Sequence, residues 1–384
     1  MNTEYERLGN GAKKVKFIHK QRLMSALYKD DYSVIELAKL IGVSHPTTKT
    51  IVEEFAELKL IKRSEKFWTK SVGRPMVKYT INAKHGVFAC INFERYESSY
   101  YIFDFSMKEL ARRKLKMSEY NIDDINGIIN DIKTDLLLVG LPLLSVSIAM
   151  VGQVNDKQEV ILSSLFDQHL KNFPFRKYFA EQLNCPVVLD NDTRIASIGD
   201  LHEGDLKGYS NFLYIALSAG ISSTIYNNGQ QIIGDANLAG EIALYLTDTG
   251  VTLHNACSVK ALIKRLKPHL KEATIEGLVE GFKTNETVKQ VICESGFILG
   301  KSIRNMSYIT GVKTVALVGT INKFPDEYFE FVKKGTEIVY EIHPDYLGRY
   351  EINLVRSTSD NPVKLGLGYL ARTTYMNTIS TEEN

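Results

Sequence analysis

Ser44, His45, Pro46, Thr47, Lys49 and Thr50 place hydroxyls, an imidazole and an ammonium within one short stretch of chain. Ser44 is a good helix cap and Pro46 suits the first turn, so the stretch reads as the N-terminal end of a helix. Unpaired backbone N–H groups at such an end favour phosphate, and short polar side chains there reach base edges. A basic, turn-rich segment follows with Lys62, Arg63, Lys66, Lys70, Arg74 and Lys78, and with Phe67 and Trp68 among them. Hydroxyls and cations in this order point to a grip on double-stranded DNA. A three-helix protein-interaction module with a solvated basic face is the alternative.

The neighbouring residues are those needed to position such a helix. Residues 17–29 carry apolar side chains along one face, and Ser33 with Glu36 forms a capping box ahead of Val34–Ile41. Gly42 breaks that second helix, and Ala38, four residues earlier, is small enough for a close crossing. Val43, Ile51, Val52 and Phe55 are expected to face inward and seat the third helix, leaving Ser44–Thr50 for the groove. Strands near 60–62 and 77–81 flank the basic segment, which completes a winged helix-turn-helix over residues 1–84.

The rest of the chain is of another kind. Residues 1–84 hold 17 Lys and Arg against 9 Asp and Glu, whereas residues 85–384 hold 30 against 36. A basic front on a mildly acidic body fits a phosphate-binding module joined to something else. With 384 residues, 44% hydrophobic and 24% charged, the chain has material for two or three globular domains. Its apolar runs, such as 135–144, stop well short of the roughly 18–20 residues of a membrane span, and its polar opening lacks the look of a signal peptide. A cytoplasmic location with no membrane partner is expected. Cys90, Cys185, Cys257 and Cys293 form no CxxC pair and read as four buried thiols.

Beyond residue 84, strands and helices alternate. Strands are expected at 86–93, 100–105, 145–151, 186–189, 212–217, 224–226 and 314–318, and helices at 122–138, 175–183, 258–270, 286–306 and 325–341. The expected class is α/β, with a first lobe over 85–190, rejoined by a helix near 362–378, and a second lobe over 191–361 that carries the dimerisation surface.

A helix-turn-helix, then Gly73-Arg74-Pro75, then an α/β body of about 300 residues resembles the ROK family of repressors, open reading frames and kinases. The run SVIELAKLIGVSHPTTKTIVEEFAELKLIKR with the later GRP carries the likeness. The resemblance implies a two-lobed, ribonuclease-H-like body of the sugar-kinase and actin-like ATPase type, with a sugar site between its lobes that controls operator affinity. It also implies that Arg74 approaches the minor groove, which suits arginine's preference for narrow, electronegative grooves.

The same resemblance shows where the kinase pattern is lost. Where active members read Asp-x-Gly-Gly-Thr, this chain has Asn92-Phe93-Glu94-Arg95. Where they carry a glycine-rich phosphate loop, it has Ser218-Ala219-Gly220-Ile221-Ser222-Ser223-Thr224, and a later Gly-Gly-Gly is Gly319-Thr320-Ile321. ATP and catalysis are therefore not expected. The family's zinc knot is reduced to Cys257 with a nearby His254, too few ligands for a tetrahedral site, so no metal is expected. What survives is Asn191-Asp192, matching the family's sugar-binding and base pair, and Glu241, matching a sugar-hydroxyl ligand. Gly152 matches the glycine of a sugar loop, and Ser164 falls near a sugar-binding asparagine. Each has a plainer reading: Asp192 as cap of the helix after it, Glu241 as a surface glutamate, Gly152 as a turn glycine. The expected protein is a repressor of carbohydrate-related genes, a homodimer or dimer of dimers, answering to a sugar or sugar phosphate. The alternatives are a body that only dimerises or docks a partner, and an active sugar kinase.

Overall fold

The computed structural model describes residues 11–64, 77–94, 98–115, 120–155, 160–162, 170–338 and 351–381. The chain divides into two compact units, one of residues 1–151, 158–189 and 367–384, the other of residues 152–157 and 190–366.

The first unit begins with three helices, α1 (Ala12–Leu27), α2 (Val34–Ile41) and α3 (His45–Glu57). The caps are those read from the sequence. Ser33 Oγ accepts from the Glu36 N–H at 3.3 Å, and the Glu36 carboxylate accepts from the Ser33 N–H at 2.8 Å. Gly42 closes α2 at a φ of 69°, a left-handed value that suits glycine. Leu23, Leu27, Leu37, Ile51, Val52 and Phe55 are buried and form the small core. Val43, expected to face inward, is only half-buried. The strands β1 (Tyr32–Ser33), β2 (Ile61–Arg63) and β3 (Lys78–Ile81) form a three-stranded sheet in the order β1-β3-β2. Lys20, 3% exposed, is ion-paired with Glu54 of α3, and Lys16 adds an ion pair to the same carboxylate at 3.2 Å. This clamp fixes α3 against α1.

The first unit continues into a five-stranded sheet made of β4 (Val87–Phe93), β5 (Ser98–Asp104), β6 (Glu109–Leu115), β7 (Leu143–Met150) and β8 (Val187–Asn191). Its order is β8-β7-β4-β5-β6, antiparallel through β4, β5 and β6 and parallel between β4 and β7. Every residue of β4 is buried, as a central strand covered on both faces requires. Helices α4 (Ile122–Val139) and α5 (Phe175–Leu183) belong here too. The sequence reading overlooked β6, whose ELARRKL alternates weakly and is half exposed.

The helix-turn-helix and the first sheet fall within one compact unit, and an aromatic cluster joins them. Phe105 sits 6.1 Å from Tyr28, 4.8 Å from His85 and 6.0 Å from Tyr375, ring centre to ring centre. The Arg372 guanidinium lies 4.1 Å from the Tyr28 ring centre, and His85 Nε2 and Tyr375 Oη are 2.6 Å apart. Tyr375 and Arg372 come from the last helix, Pro362–Thr381.

The second unit repeats the sheet. Strands β9 (Phe212–Leu217), β10 (Ile221–Asn227), β11 (Gln230–Ile232), β12 (Thr314–Val318) and β13 (Asn353–Arg356) run β11-β10-β9-β12-β13. The hairpin strands are again antiparallel, and β9, β12 and β13 are parallel. Around the sheet lie α6 (Asp192–His202), α7 (Leu253–Cys257), α8 (Val259–Leu266), α9 (Ile275–Thr284), α10 (Glu286–Thr310) and α11 (Asp326–Thr336). One continuous helix expected over 258–270 is instead α8 followed by a short 3-10 turn at Lys267–His269, with Ser258 as the cap of α8, its hydroxyl accepting from the Ala261 N–H. Of the four thiols, Cys90, Cys257 and Cys293 are buried, while Cys185 is only half-buried.

Two outcomes follow from this packing. Glu54→Gln removes the charge that Lys20 and Lys16 share, so unfolding by denaturant is expected to show a loss of about 2 kcal/mol. Burial holds the His85 imidazole below its ordinary value of 6.5, against a smaller upward pull from a backbone hydrogen bond at Lys59. The folded state thus favours the neutral ring, and its contribution is complete above that ordinary value and lost as pH falls below it. Calorimetry at about pH 7.5 and about pH 5.5 should find the lower melting temperature at the lower pH. His85→Phe should flatten that dependence.

Candidate nucleic-acid interface and effector site

On α3 the expected contact residues are sorted from the core. His45, Pro46, Thr47, Lys49 and Thr50 stand at the surface with Ser44 beside them, whereas Thr48, in their midst, is fully buried and donates its hydroxyl to the Ser44 carbonyl at 3.0 Å. Ser44 caps the helix, accepting from the Thr47 N–H, and its hydroxyl lies 2.8 Å from Thr47 Oγ1. Thr50 returns its hydroxyl to the Pro46 carbonyl at 3.1 Å. Lys49 meets Glu53 at 3.6 Å with both side chains well exposed, a pairing weak enough for a phosphate to displace. Arg63 is exposed at the end of β2. Lys70 and Arg74, with Lys66, Phe67 and Trp68, lie outside the described residues.

In the second unit, Asn191 organises the start of α6. Its Oδ1 accepts from the Thr193 N–H at 2.9 Å and the Arg194 N–H at 3.3 Å, while its Nδ2 donates to the Gly152 carbonyl at 2.9 Å. Asn191 is therefore the cap, and Asp192, for which that role was the plainer reading, is the first helical residue. Asp192 Oδ1 also accepts from the Thr193 N–H at 2.9 Å. Both ends of the Asn191 amide hold the protein together, so it acts first as a positioning residue.

Arg194 was not singled out in the sequence, although its spacing from Asp190 is that of an ion pair along one helical turn. It is 7% exposed, meets Asp190 at 3.3 Å and donates to the Asn237 carbonyl at 2.7 Å. Burial raises the Asp190 carboxyl above its ordinary range, and Arg194 opposes that rise. Asn237 in turn donates to the Val154 carbonyl at 2.8 Å. The frame thus ties the loop after Gly152, the head of α6 and the loop before Glu241 together. Glu241 itself is exposed, and its neighbour Gly240 is fixed by the Ser223 hydroxyl, which donates to the Gly240 carbonyl at 2.7 Å. Gly240 has a φ of +89°, and a Cβ there would come within 2.6 Å of the Ser223 carbonyl oxygen. Gly152, Asn191 and Asp192 therefore share one polar scaffold, while Glu241 stands exposed beside Gly240 and Ser164 lies outside the described residues.

The Ser218–Thr224 segment makes polar contacts of its own. Ser222 Oγ lies 2.5 Å from Thr193 Oγ1, and Ser218 Oγ accepts from the Thr320 N–H at 3.1 Å. Ile321 is fully buried. In the first unit, Asn92 is 5% exposed and its Nδ2 donates to Glu94 at 3.2 Å. Cys257 is buried with its thiol toward the Ser295 carbonyl at 3.3 Å, and burial pushes that thiol up to about 12. Among the described residues, no group of three or more His, Cys, Asp or Glu is placed to hold a metal ion.

A profile of the ROK family matches residues 89–373. The xylose repressor of Bacillus spizizenii is 20% identical over 235 residues, covering 59% of this chain and 60% of that protein. The match therefore spans about six-tenths of that relative's length. In three dimensions, a ROK family transcriptional regulator, a homologue of the E. coli Mlc protein, superposes with a TM-score of 0.77 at 17% identity, covering 96% of this chain and 98% of the other. A ROK hexokinase from Thermus thermophilus superposes with a TM-score of 0.61 at 16% identity, covering 78% of this chain and all of the other. These likenesses establish the fold: a winged helix-turn-helix followed by a two-lobed α/β body of the repressor and sugar-kinase type.

Asn191→Ala removes the α6 cap and the tether to Gly152 together. Denaturant unfolding should register a loss of about 1–2 kcal/mol, at the upper end of a helix-cap deletion.

Proposed function

The chain belongs to the ROK family, and on that premise we propose that it is a DNA-binding transcriptional repressor of carbohydrate-related genes. The observation that carries the reading is the capped end of α3, where polar and cationic positions stand at the surface around one buried threonine. Homologues named xylose repressors support it, as does the likeness of fold to a transcriptional regulator over 96% of the chain. A homodimer follows from the way helix-turn-helix proteins read paired half-sites. No helix among the described residues is long and apolar enough to cross a membrane, and the proposed place of action is the cytoplasm, where the DNA is.

The effector in this reading is a sugar or sugar phosphate held near Gly152, Asn191, Asp192 and Glu241. Carboxylates beside a rigid polar loop suit the hydroxyls of a carbohydrate. The effector acts by binding the DNA-competent and incompetent arrangements with different affinity.

Phosphoryl transfer is not part of the proposal. A nucleotide phosphate needs free backbone N–H groups, and the Thr320 N–H is already bonded to Ser218 while Ser222, Ser223 and Thr224 add side chains along the strand. The surviving Asp192 and the kinase structural neighbours favour an active sugar kinase as the second reading. A body that only dimerises or docks a partner is the third, favoured by the full engagement of the Asn191 amide.

Operator titrations across a salt series test the DNA claim. Lys49→Ala and Arg74→Ala should each weaken binding, and the slope of log K against log salt should become shallower by about 0.9 for each phosphate that is no longer neutralised. Unchanged affinity in both variants would overturn it. A coupled assay over a sugar panel with ATP should give no turnover, and turnover abolished by Asp192→Asn would establish the kinase instead. Thermal-shift screening against the same panel should find a stabilising sugar or sugar phosphate; operator binding with no such ligand would favour the third reading.

A further inference from the structure

We propose that Asp200 and Asp205, with the hydroxyls of Ser357 and Ser359, form a site in the second unit for a divalent, oxygen-seeking cation of the calcium type. The place is separate from the polar frame at Asn191, since Asp200 lies about 12 Å along α6 from Asp192 at the helical rise per residue. It stands independently of the DNA-binding and effector readings.

Asp200 closes the buried stretch of α6 and is 0% exposed. Its Oδ2 accepts from the Tyr214 hydroxyl of β9 at 2.8 Å and from the Ser357 hydroxyl at 2.9 Å. Ser357 follows β13 directly, and its Oγ also lies 3.4 Å from Asp205 Oδ2 and 3.4 Å from Ser359 Oγ. That hydroxyl has one hydrogen to offer and three oxygens within reach. Ser359 Oγ accepts from the Asp205 N–H at 3.0 Å, which ties the loop after α6 to the chain after β13. Asp205 is exposed, so the cluster runs from a buried carboxylate out to solvent, where an ion can enter.

The second oxygen of Asp200 is what points to a ligand. Asp200 Oδ1 is buried and has no hydrogen-bond partner among the described residues. A Cβ built on Gly204 would stand 2.5 Å from Asp200 Oδ1 and 2.5 Å from Ser359 Oγ, so the two oxygens are separated by at most twice that distance. Glycine at 204 keeps a side chain out from between them. Among the described residues, neither Asp200 nor Asp205 has a Lys, Arg or His partner. The Thr358 N–H, at 2.7 Å, holds the Asp205 carboxyl below the ordinary carboxylate range, so it carries its charge at neutral pH. Beside Ser357, Asn322 donates its Nδ2 to the Ser357 carbonyl at 2.7 Å, and its Oδ1 is a second buried oxygen with no partner among the described residues. The groups left over at this place are acceptors.

A carboxylate taken out of water needs an opposite charge, and an unpartnered buried oxygen needs a donor or an ion. One divalent cation answers both carboxylates at once. The ligands on offer are carboxylate and hydroxyl oxygens, with no sulfur or imidazole, which favours hard cations over zinc or copper. Calcium, with ligands at about 2.3–2.6 Å, spans the gap between Asp200 Oδ1 and Ser359 Oγ, and water from the exposed side can complete its loose coordination. Magnesium demands shorter bonds and a stricter octahedron, so calcium should bind more tightly. An ion held here would pin the end of α6, the loop at Gly204 and the chain after β13 to one another.

The test uses the full chain after treatment with a chelator, in two arms. In the first, thermal unfolding is followed in calcium, magnesium and potassium chloride at matched ionic strength. Calcium should raise the melting temperature progressively with concentration, as a ligand of the folded state does, and magnesium should do so less. In the second, terbium stands in for calcium and its luminescence is excited through tyrosine. Tyr214, bonded to Asp200, should sensitise the emission, calcium should displace it, and Tyr214→Phe should dim it. Asp200→Asn should abolish the emission. Asp205→Asn, at an exposed position that leaves the buried carboxylate in place, should weaken terbium binding about tenfold and blunt the calcium stabilisation. A melting temperature that follows ionic strength alone, or emission unchanged in Asp205→Asn, overturns the proposal. So does a response to potassium without one to calcium, or stabilisation by acid with no response to any ion, which would mean that Asp200 holds a proton in place of a cation.

Discussion

The amide of Asn191 is the constraint on which the second unit's polar architecture depends. One side chain caps a helix, and the same side chain anchors the loop at Gly152, so neither can move without the other. Caps are ordinarily local devices of about 1 kcal/mol. Here the cap also lies between Asp190 and Asp192, and the salt bridge of Asp190 to Arg194 extends the restraint to Asn237 and on to Val154. Buried polar groups connected in this way hold position well when every member is satisfied, and are costly when one is removed. A ligand hydroxyl at Asp192 would therefore meet a carboxylate that is already positioned.

The repeated sheet explains why such a frame forms where it does. In both units a three-stranded antiparallel meander is extended by a strand parallel to its first strand, so the strand order departs from chain order there. Helices and loops after parallel strands emerge at their carboxyl ends, which is where α/β folds gather binding groups. Asn191 ends β8, and the Ser218 turn follows β9, both in keeping with that rule. Close backbone approach is part of the design. Gly199 on α6 has room for no side chain, since a Cβ there would come within 2.0 Å of the Pro362 carbonyl oxygen. A Cβ on Gly366 would meet the Ile195 carbonyl oxygen at 1.8 Å. The helix that opens at Pro362 thus packs directly on α6, backbone against backbone, within the second unit.

How much of this could be read from the residues depended on the range of the interaction. The three helices of the head were legible because their caps are local: Ser33 with Glu36, Gly42, and Ser44 with Pro46 act within one turn. Val87–Phe93, buried on both faces, announced itself as an apolar run broken only by Asn92. Edge strands did not: β6 carries Arg112, Arg113 and Lys114, and β13 is four residues long, so neither has the composition of a core strand. Within the site, Asn191 and Asp192 were found as a pair, but their division of labour was not. Whether an asparagine caps a helix or faces a ligand depends on where the Gly152 carbonyl falls, and Gly152 lies 39 positions away along the chain. The Ser222–Thr193 and Ser223–Gly240 contacts are equally non-local and leave no pattern in composition or period.

The joint between the head and the first lobe gives the last step. A DNA-binding module tethered by a flexible linker would answer to a body only through effective concentration. Here Tyr28 of the head lies against Phe105 and Arg372, and His85 meets Tyr375, so direct side-chain contacts join the helix-turn-helix to the first sheet within one compact unit. Arg372 and Tyr375 lie on the helix that begins in the second unit at Pro362 and passes into the first at Leu367. A continuous helix transmits rotation and translation along its length far better than a loop of equal span, because each turn is bonded to the next.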